Sequence, residues 1–143
     1  MKIRKAKRKD FKKIAEIYQE GFSEKPYNEM WTLKESINKI KIFYKYCDIW
    51  ISTENKNITG FLIINSNQWK PGEIIFGEDI GIDKKYRKKE IATKLLEFSF
   101  AHYKKKGYKK FMGIINKDAK SFGFIKKLKL KLSKQDLLVE KEL

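Results

Sequence analysis

The chain has 143 residues, and 34 lysines and arginines against 18 acids give it a net charge of +16. Hydrophobic residues make up 41% and aromatics 14%, enough for a packed core and too many for a disordered segment. No apolar run reaches the roughly 18 residues of a membrane-spanning helix, and the lone Cys47 and lone His102 exclude an internal disulfide, a multi-cysteine metal site and paired-histidine zinc chemistry.

Lys2–Lys7 alternates around Ile3 and reads as a first strand. Asp10 has the chemistry of an N-cap, and Phe11, Ile14, Ala15, Tyr18 and Phe22 follow at helical spacing. After a loop containing Pro26, Thr32 can cap a second helix with Leu33, Ile37, Ile40 and Phe43 or Tyr44 on its apolar face. Residues 48–53 and 58–65, joined by Glu54-Asn55-Lys56-Asn57, predict a β-hairpin. Residues 73–82 form a long β segment in which Gly77 and Gly81 signal a bulge or a close backbone approach. A basic loop leads into a helix over about 89–106, ended by Gly107. A strand over 108–115 follows, then a loop at 116–119 and a helix ending near 127–129. Residues 130–132 and 137–142 predict a closing hairpin.

The predicted order is β-α-α-β-β-β-α-β-α-β-β. An antiparallel meander followed by one β-α-β crossover makes this an α+β fold with a mixed, mostly antiparallel sheet and about four helices, in a single domain over 1–143. No apolar segment follows Met1-Lys2-Ile3-Arg4, so a secretory signal is not expected and the cytoplasm is.

A chain this basic attracts polyanions, whether nucleic acid, phosphorylated cofactors or anionic surfaces. A solvated lysine-rich surface produces the same charge with no partner at all. Of the basic clusters, only Lys84-Lys85-Tyr86-Arg87-Lys88-Lys89 falls where a loop meets a helix N-terminus. Unpaired backbone N–H groups and a partial positive charge gather there, and a phosphate can dock.

At that place the residues Ile80-Gly81-Ile82-Asp83 through Arg87-Lys88-Lys89-Glu90-Ile91-Ala92-Thr93-Lys94-Leu95-Leu96 resemble the acetyl-CoA-binding motif of the GNAT superfamily of N-acetyltransferases. That motif is an apolar strand, then Gln/Arg-x-x-Gly-x-Gly/Ala, then a helix with a Leu-Leu pair. Arg87 matches its first residue, Ala92 its last small one and Leu95-Leu96 the pair. The resemblance extends over the whole chain and implies a GNAT-like fold, acetyl-CoA as cosubstrate and direct transfer of an acetyl group to an amine. It implies that Arg87, Lys88, Lys89, Glu90, Ile91, Ala92 and Thr93 hold the pyrophosphate. Gly81 and Ile82 would pair with the pantetheine arm and offer backbone N–H groups to the thioester carbonyl, while Asn116 would bond the arm or cap the next helix.

Two positions depart from the family's pattern. Glu90 stands where the first motif glycine would, adding a side chain and a negative charge at the docking point. In the later Asn-x-x-Ala/Ser-x-x-Phe-Tyr-x-Lys-x-Gly-Phe stretch, one register puts Ile125 at the tyrosine and Lys129 at the glycine; the other puts Gly123 at the tyrosine. Neither supplies the family's acid for the leaving thiolate.

Glu78 and Asp79 are the candidate bases, on opposite faces of a regular strand unless a bulge intervenes. Phe22, Tyr27, Trp31 and Trp69 are candidate acceptor-pocket aromatics or ordinary packing. His102 reads as a packed, satisfied histidine and Cys47 as a small hydrophobe. The expected partner is an amine-bearing small molecule or protein. Binding to nucleic acid would be unspecific, no membrane partner is expected, and the chain would be a monomer or homodimer. The competing readings are a catalytically weak or inactive relative that binds acyl-CoA or protein, and a basic nucleic-acid-binding domain.

Overall fold

A computed structural model describes residues 1–143. Its elements are β1 (Lys2–Lys5), α1 (Phe11–Ser23), α2 (Leu33–Tyr46), β2 (Asp48–Glu54), β3 (Asn57–Asn65), β4 (Ile74–Ile82), α3 (Ile91–Lys105), β5 (Lys110–Gly113) and α4 (Phe124–Lys127). Short 3-10 turns precede α1, follow β4 and precede α4. The five strands form one sheet in the order β1-β2-β3-β4-β5. All neighbours are antiparallel except β4 and β5. This is the α+β architecture expected from the sequence.

Period-two alternation sends successive side chains of β2 and β3 to opposite faces. Ile49, Ile51, Phe61 and Ile63 pack against Ile14, Ile17 and Tyr18 of α1 and Ile40 and Phe43 of α2. Trp50, Leu62 and Ile64 face the other way and meet Ile91, Leu95, Leu96 and Tyr103 of α3. Burying one such side chain contributes about 1.5–3 kcal/mol, so the two half-cores fix the helices on their faces.

Thr32 caps α2 in a reciprocal box with Glu35: the Glu35 N–H donates to the Thr32 hydroxyl at 3.1 Å, and the Thr32 N–H donates to the Glu35 carboxylate at 2.7 Å. Asp10 does not cap α1. Its carboxylate turns back to accept the Lys7 N–H at 2.7 Å and the Arg4 guanidinium at 2.8 Å, because a 3-10 turn with its own orphan donor precedes the helix.

The predicted closing hairpin is absent, and residues 130–143 form neither helix nor strand. Leu132, Leu137, Leu138 and Val139 are exposed. The nearby edge strand β5 has only four residues to pair with, and a two-stranded ribbon left on its own gains too little in water to hold itself. The last helix is also shorter than predicted, with a 3-10 turn over Lys120–Gly123 leading into α4.

Candidate active site at the parting of two strands

β4 and β5 pair only from Ile74↔Lys110 to Gly77↔Gly113. Beyond that point β4 runs on to Ile82 with no strand on that edge. The Phe111 ring lies over Gly77, where an added Cβ would come within 2.8 Å of it, so the glycine is needed where the strands part. The gap leaves main-chain groups of β4 open to an extended ligand arm.

β4 carries a bulge. Its register against β3 steps from Ile63↔Asp79 to Ile64↔Gly77, leaving Glu78 as the extra residue. The consequence is chemical. Asp79 faces α1, where its Oδ2 accepts the Tyr18 hydroxyl at 3.3 Å. Glu78 accepts the Asn65 side-chain amide at 3.0 Å, and Asn65 lies two residues beyond Ile63 on the same face of β3. Both carboxylates therefore reach the α1–α2 face, which a regular strand would forbid.

Burial above all pushes the Asp79 carboxyl up to about 7. The Tyr18 hydroxyl and Lys39 oppose that rise, and the neighbouring Glu78 and Glu29 add to it. Tyr18 is itself held protonated, by burial first and then by the Asp79 charge. Around this pair the aromatics gather: Tyr18 contacts Phe22 at 4.6 Å and Trp31 at 5.1 Å, and Phe22 contacts Tyr27 at 5.0 Å. Trp69 stands apart on Phe76. An open cleft of about 370 Å³ lies between α1 and the segment leading to α2, with Gln19, Glu20, Glu29 and Trp31 among its walls. Glu29 accepts the Trp31 indole N–H at 2.7 Å.

On the other side of the gap lies the basic loop. The N–H groups of Glu90, Ile91, Ala92 and Thr93 have no main-chain acceptor, and the first intrahelical bond runs from Lys94 to the Glu90 carbonyl. Lys88 and Glu90 are left-handed, with φ of 63° and 59°. Alternating backbone handedness next to a helix start makes a concave set of donors for an anion. The left-handed φ at Glu90 accounts for a glycine in the motif, since a Cβ is disfavoured there. The Glu90 side chain leaves the concavity and pairs with Lys127 of α4. Ile91 and Thr93 are buried anchors of α3, and Ala92 is partly exposed.

Arg87 is already engaged by neighbouring groups. Its Nη1 pairs with Glu24 at 2.8 Å and its Nε donates to the Ile82 carbonyl at 3.3 Å. Lys84 is paired with Glu20 and Glu24, and Lys13 with Asp83. These contacts fasten the loop to α1 and neutralise part of the basic cluster. Lys89 sits over the Tyr86 ring at 5.3 Å, and Lys85 and Lys88 point to solvent. An added Cβ on Gly81 would come within 2.5 Å of the Phe61 ring, so packing requires the lack of a side chain here. Exposed Asn116 turns its Oδ1 onto the Asp118 N–H at 2.8 Å, closing the loop before α4.

The backbone chooses between the two registers of the last motif. Lys129 is left-handed at φ 53°, and the Leu130 N–H reaches back to the Ile125 carbonyl at 2.8 Å, a helix-ending geometry that favours glycine. Lys129 thus stands at the motif glycine, which leaves Ile125 at the tyrosine position.

The sequence matches the acetyltransferase (GNAT) family over residues 11–129. The chain belongs to this family. Among solved structures it is similar to a possible acetyltransferase from Clostridium difficile 630, with 14% identity, 99% of this chain and 97% of that chain covered, and a TM-score of 0.82. It is similar to the aminoglycoside antibiotic 6'-N-acetyltransferase AAC(6')-IG from Acinetobacter haemolyticus, with 16% identity, coverage of 100% and 99%, and a TM-score of 0.72. An N-acetyltransferase from Staphylococcus aureus Mu50 shares 26% identity over 90% of this chain and 81% of its own, with a TM-score of 0.69. No functionally curated protein matches the chain by sequence. The family and the shared fold make acyl transfer the general chemistry of this scaffold. No helix is long and apolar enough to cross a membrane.

His102 is packed, as expected, between Trp50, Phe98 and Tyr103. It is not satisfied, since its buried Nε2 has no hydrogen-bond partner. Burial first, and then Lys106, lower its pKa, which keeps the ring neutral. Cys47 is partly buried, and burial followed by Glu78 pushes its thiol up to about 11, the wrong direction for a nucleophile. The Tyr18 partner of Asp79 and the Lys127 partner of Glu90 had no signal in the sequence beyond residue type. A buried tyrosine hydroxyl needs a partner, but nothing local says which.

Proposed function

We propose that this protein is an acetyl-CoA-dependent N-acetyltransferase acting on an amine acceptor by direct attack. The observation that carries the reading is the run of unpaired N–H groups from Glu90 to Thr93 beside the gap between β4 and β5. These donors fit an anion, and the open edge of β4 fits an amide-bearing arm; together they suit the diphosphate and pantetheine of the cosubstrate. When bound, acetyl-CoA would supply the acetyl thioester that an amine attacks.

Asp79 is the base in this reading. Tyr18 holds its Oδ2, which leaves Oδ1 to take the proton the attacking amine sheds. A carboxyl near 7 is matched to that task at neutral pH. Glu78, tied to Asn65, acts as a second negative charge that keeps the Asp79 proton affinity high. The aromatics around Tyr18 and the carboxylate of Glu29 suit a cationic acceptor with an apolar portion. The 6'-N-acetyltransferase of similar fold is named for an aminoglycoside, a cationic amine. With Ile125 at the tyrosine position, the thiolate leaves without a side-chain acid, which its low basicity permits.

The deciding test is calorimetric titration at physiological salt with acetyl-CoA and with acetyl-pantetheine, which lacks the diphosphate. Micromolar binding of the first and at least a hundredfold weaker binding of the second is the expected result. Equal affinity, or no binding of either, would overturn the reading. An amine screen reading CoA thiol release then identifies the acceptor.

A further inference from the structure

Glu90 and Lys127 join the two walls of the gap. Glu90 is the residue before α3, which follows β4 through the basic loop. Lys127 is the last residue of α4, which follows β5. Their side chains form an ion pair although they lie 37 positions apart in sequence. Both are exposed, at 45% and 63% of the side chain for Lys127 and Glu90. An exposed pair of this kind does little for folding, so its presence at this place calls for another use.

Two of the neighbouring loop cations are already committed, while Lys85 and Lys88 face solvent. Arg87 and Lys84 pair with Glu24, and Lys84 also with Glu20, all carboxylates of α1 or the residue after it. Lys127 arrives from the opposite side, and its partner is itself a member of the anion-binding backbone. The Glu90 main chain donates to the concavity while its carboxylate holds the cation next to it. The Lys127 ammonium draws the Glu90 carboxyl below its ordinary range, so the glutamate is an anion at neutral pH.

We propose that Glu90 and Lys127 form a charge latch across the mouth of the cosubstrate groove, which a ligand diphosphate opens by displacing Glu90 and taking Lys127 as its own counter-ion. The latch rests on the acetyl-CoA reading of the groove. Its logic is competition between anions for one ammonium: the glutamate holds the place when the groove is empty and repels the ligand when it is full. Glu90 thus lowers cosubstrate affinity, and Lys127 raises it by less than it would alone.

The test is a double-mutant cycle on CoA affinity, measured by calorimetry at physiological salt with the full chain. Glu90→Gln should tighten CoA about tenfold. Lys127→Gln should loosen it, and should do so by a larger factor in the Glu90→Gln background than in the wild type, since no latch then offsets the gain. Acetyl-pantetheine should bind all four proteins alike, and melting temperatures should agree within about 2 °C, because an exposed pair contributes little. CoA affinities within twofold across the cycle would overturn the latch while leaving the groove reading intact. Failure of every variant to bind CoA would overturn both.

Discussion

The two sides of the proposed active-site gap are built from different material. On the cosubstrate side the useful groups are main-chain N–H donors from Glu90 to Thr93, and the side chains there point away or pair with α1 and α4. On the acceptor side the useful groups are side chains, with Asp79 aimed by a bulge and held by a buried tyrosine. A backbone site tolerates sequence change as long as its φ and ψ survive. A side-chain site does not. This is why Glu90 can replace a glycine without dismantling the concavity, whereas the neighbouring Glu78 is tied to Asn65 rather than to Tyr18 and does not reproduce the Asp79 geometry.

The largest expected break of this contrast is Asp79→Asn. It should reduce kcat/KM by roughly 10²–10⁴-fold and abolish the rise of the wild-type rate with pH through about 7, read from pH–rate profiles. The same group links to stability. A carboxyl whose pKa is raised on folding binds its proton more tightly in the native state, so stability falls as pH rises from about 4 to about 7. The loss is at most about 4 kcal/mol. Urea midpoints at pH 5 and pH 8 should diverge for the wild type and converge for Asp79→Asn.

Next is Gly81→Ala, which drives a Cβ into the Phe61 ring at 2.5 Å and against Ile17 at 3.2 Å. Both are fully or nearly fully buried, so a cost of about 3 kcal/mol is expected, seen as a lower urea midpoint. A drop confined to CoA affinity with unchanged stability would return Gly81 to the cosubstrate side. Tyr18→Phe should cost activity about tenfold and raise the apparent pKa of the rate profile, because the hydroxyl that favours the Asp79 anion is gone. The smallest effect belongs to Glu90→Gly. It relieves a left-handed side chain but loosens the unfolded chain, and the melting temperature should move by no more than about 3 °C.

Much of the scaffold was legible because it rests on local signals. Thr32 with Glu35, the hairpin around Asn55-Lys56, and the alternating β2 and β3 all state their structure within a few residues. The pair Gly77 and Gly81 announced an irregular β4, and the bulge lies between them at Glu78. The motif at 87–96 located the donor-rich loop. Asp10 misled, because capping chemistry serves equally well one turn earlier. The closing hairpin misled as well, because two short segments flanking a turn report a capacity for strand that only a partner edge can realise. Arg87 was legible as a residue and not as a contact, since its commitment to Glu24 joins positions 63 apart.

The sequence by itself determined the fold family, the order of the elements through β5 and the position of the donor loop, because periodicity, caps and glycines act over short range. The tertiary structure alone decided that both Glu78 and Asp79 reach the α1–α2 face, which cations are already paired and that Glu90 reaches Lys127. Those outcomes depend on a one-residue bulge and on contacts between elements far apart in the chain, and neither burial nor charge neutralisation exists until the elements meet.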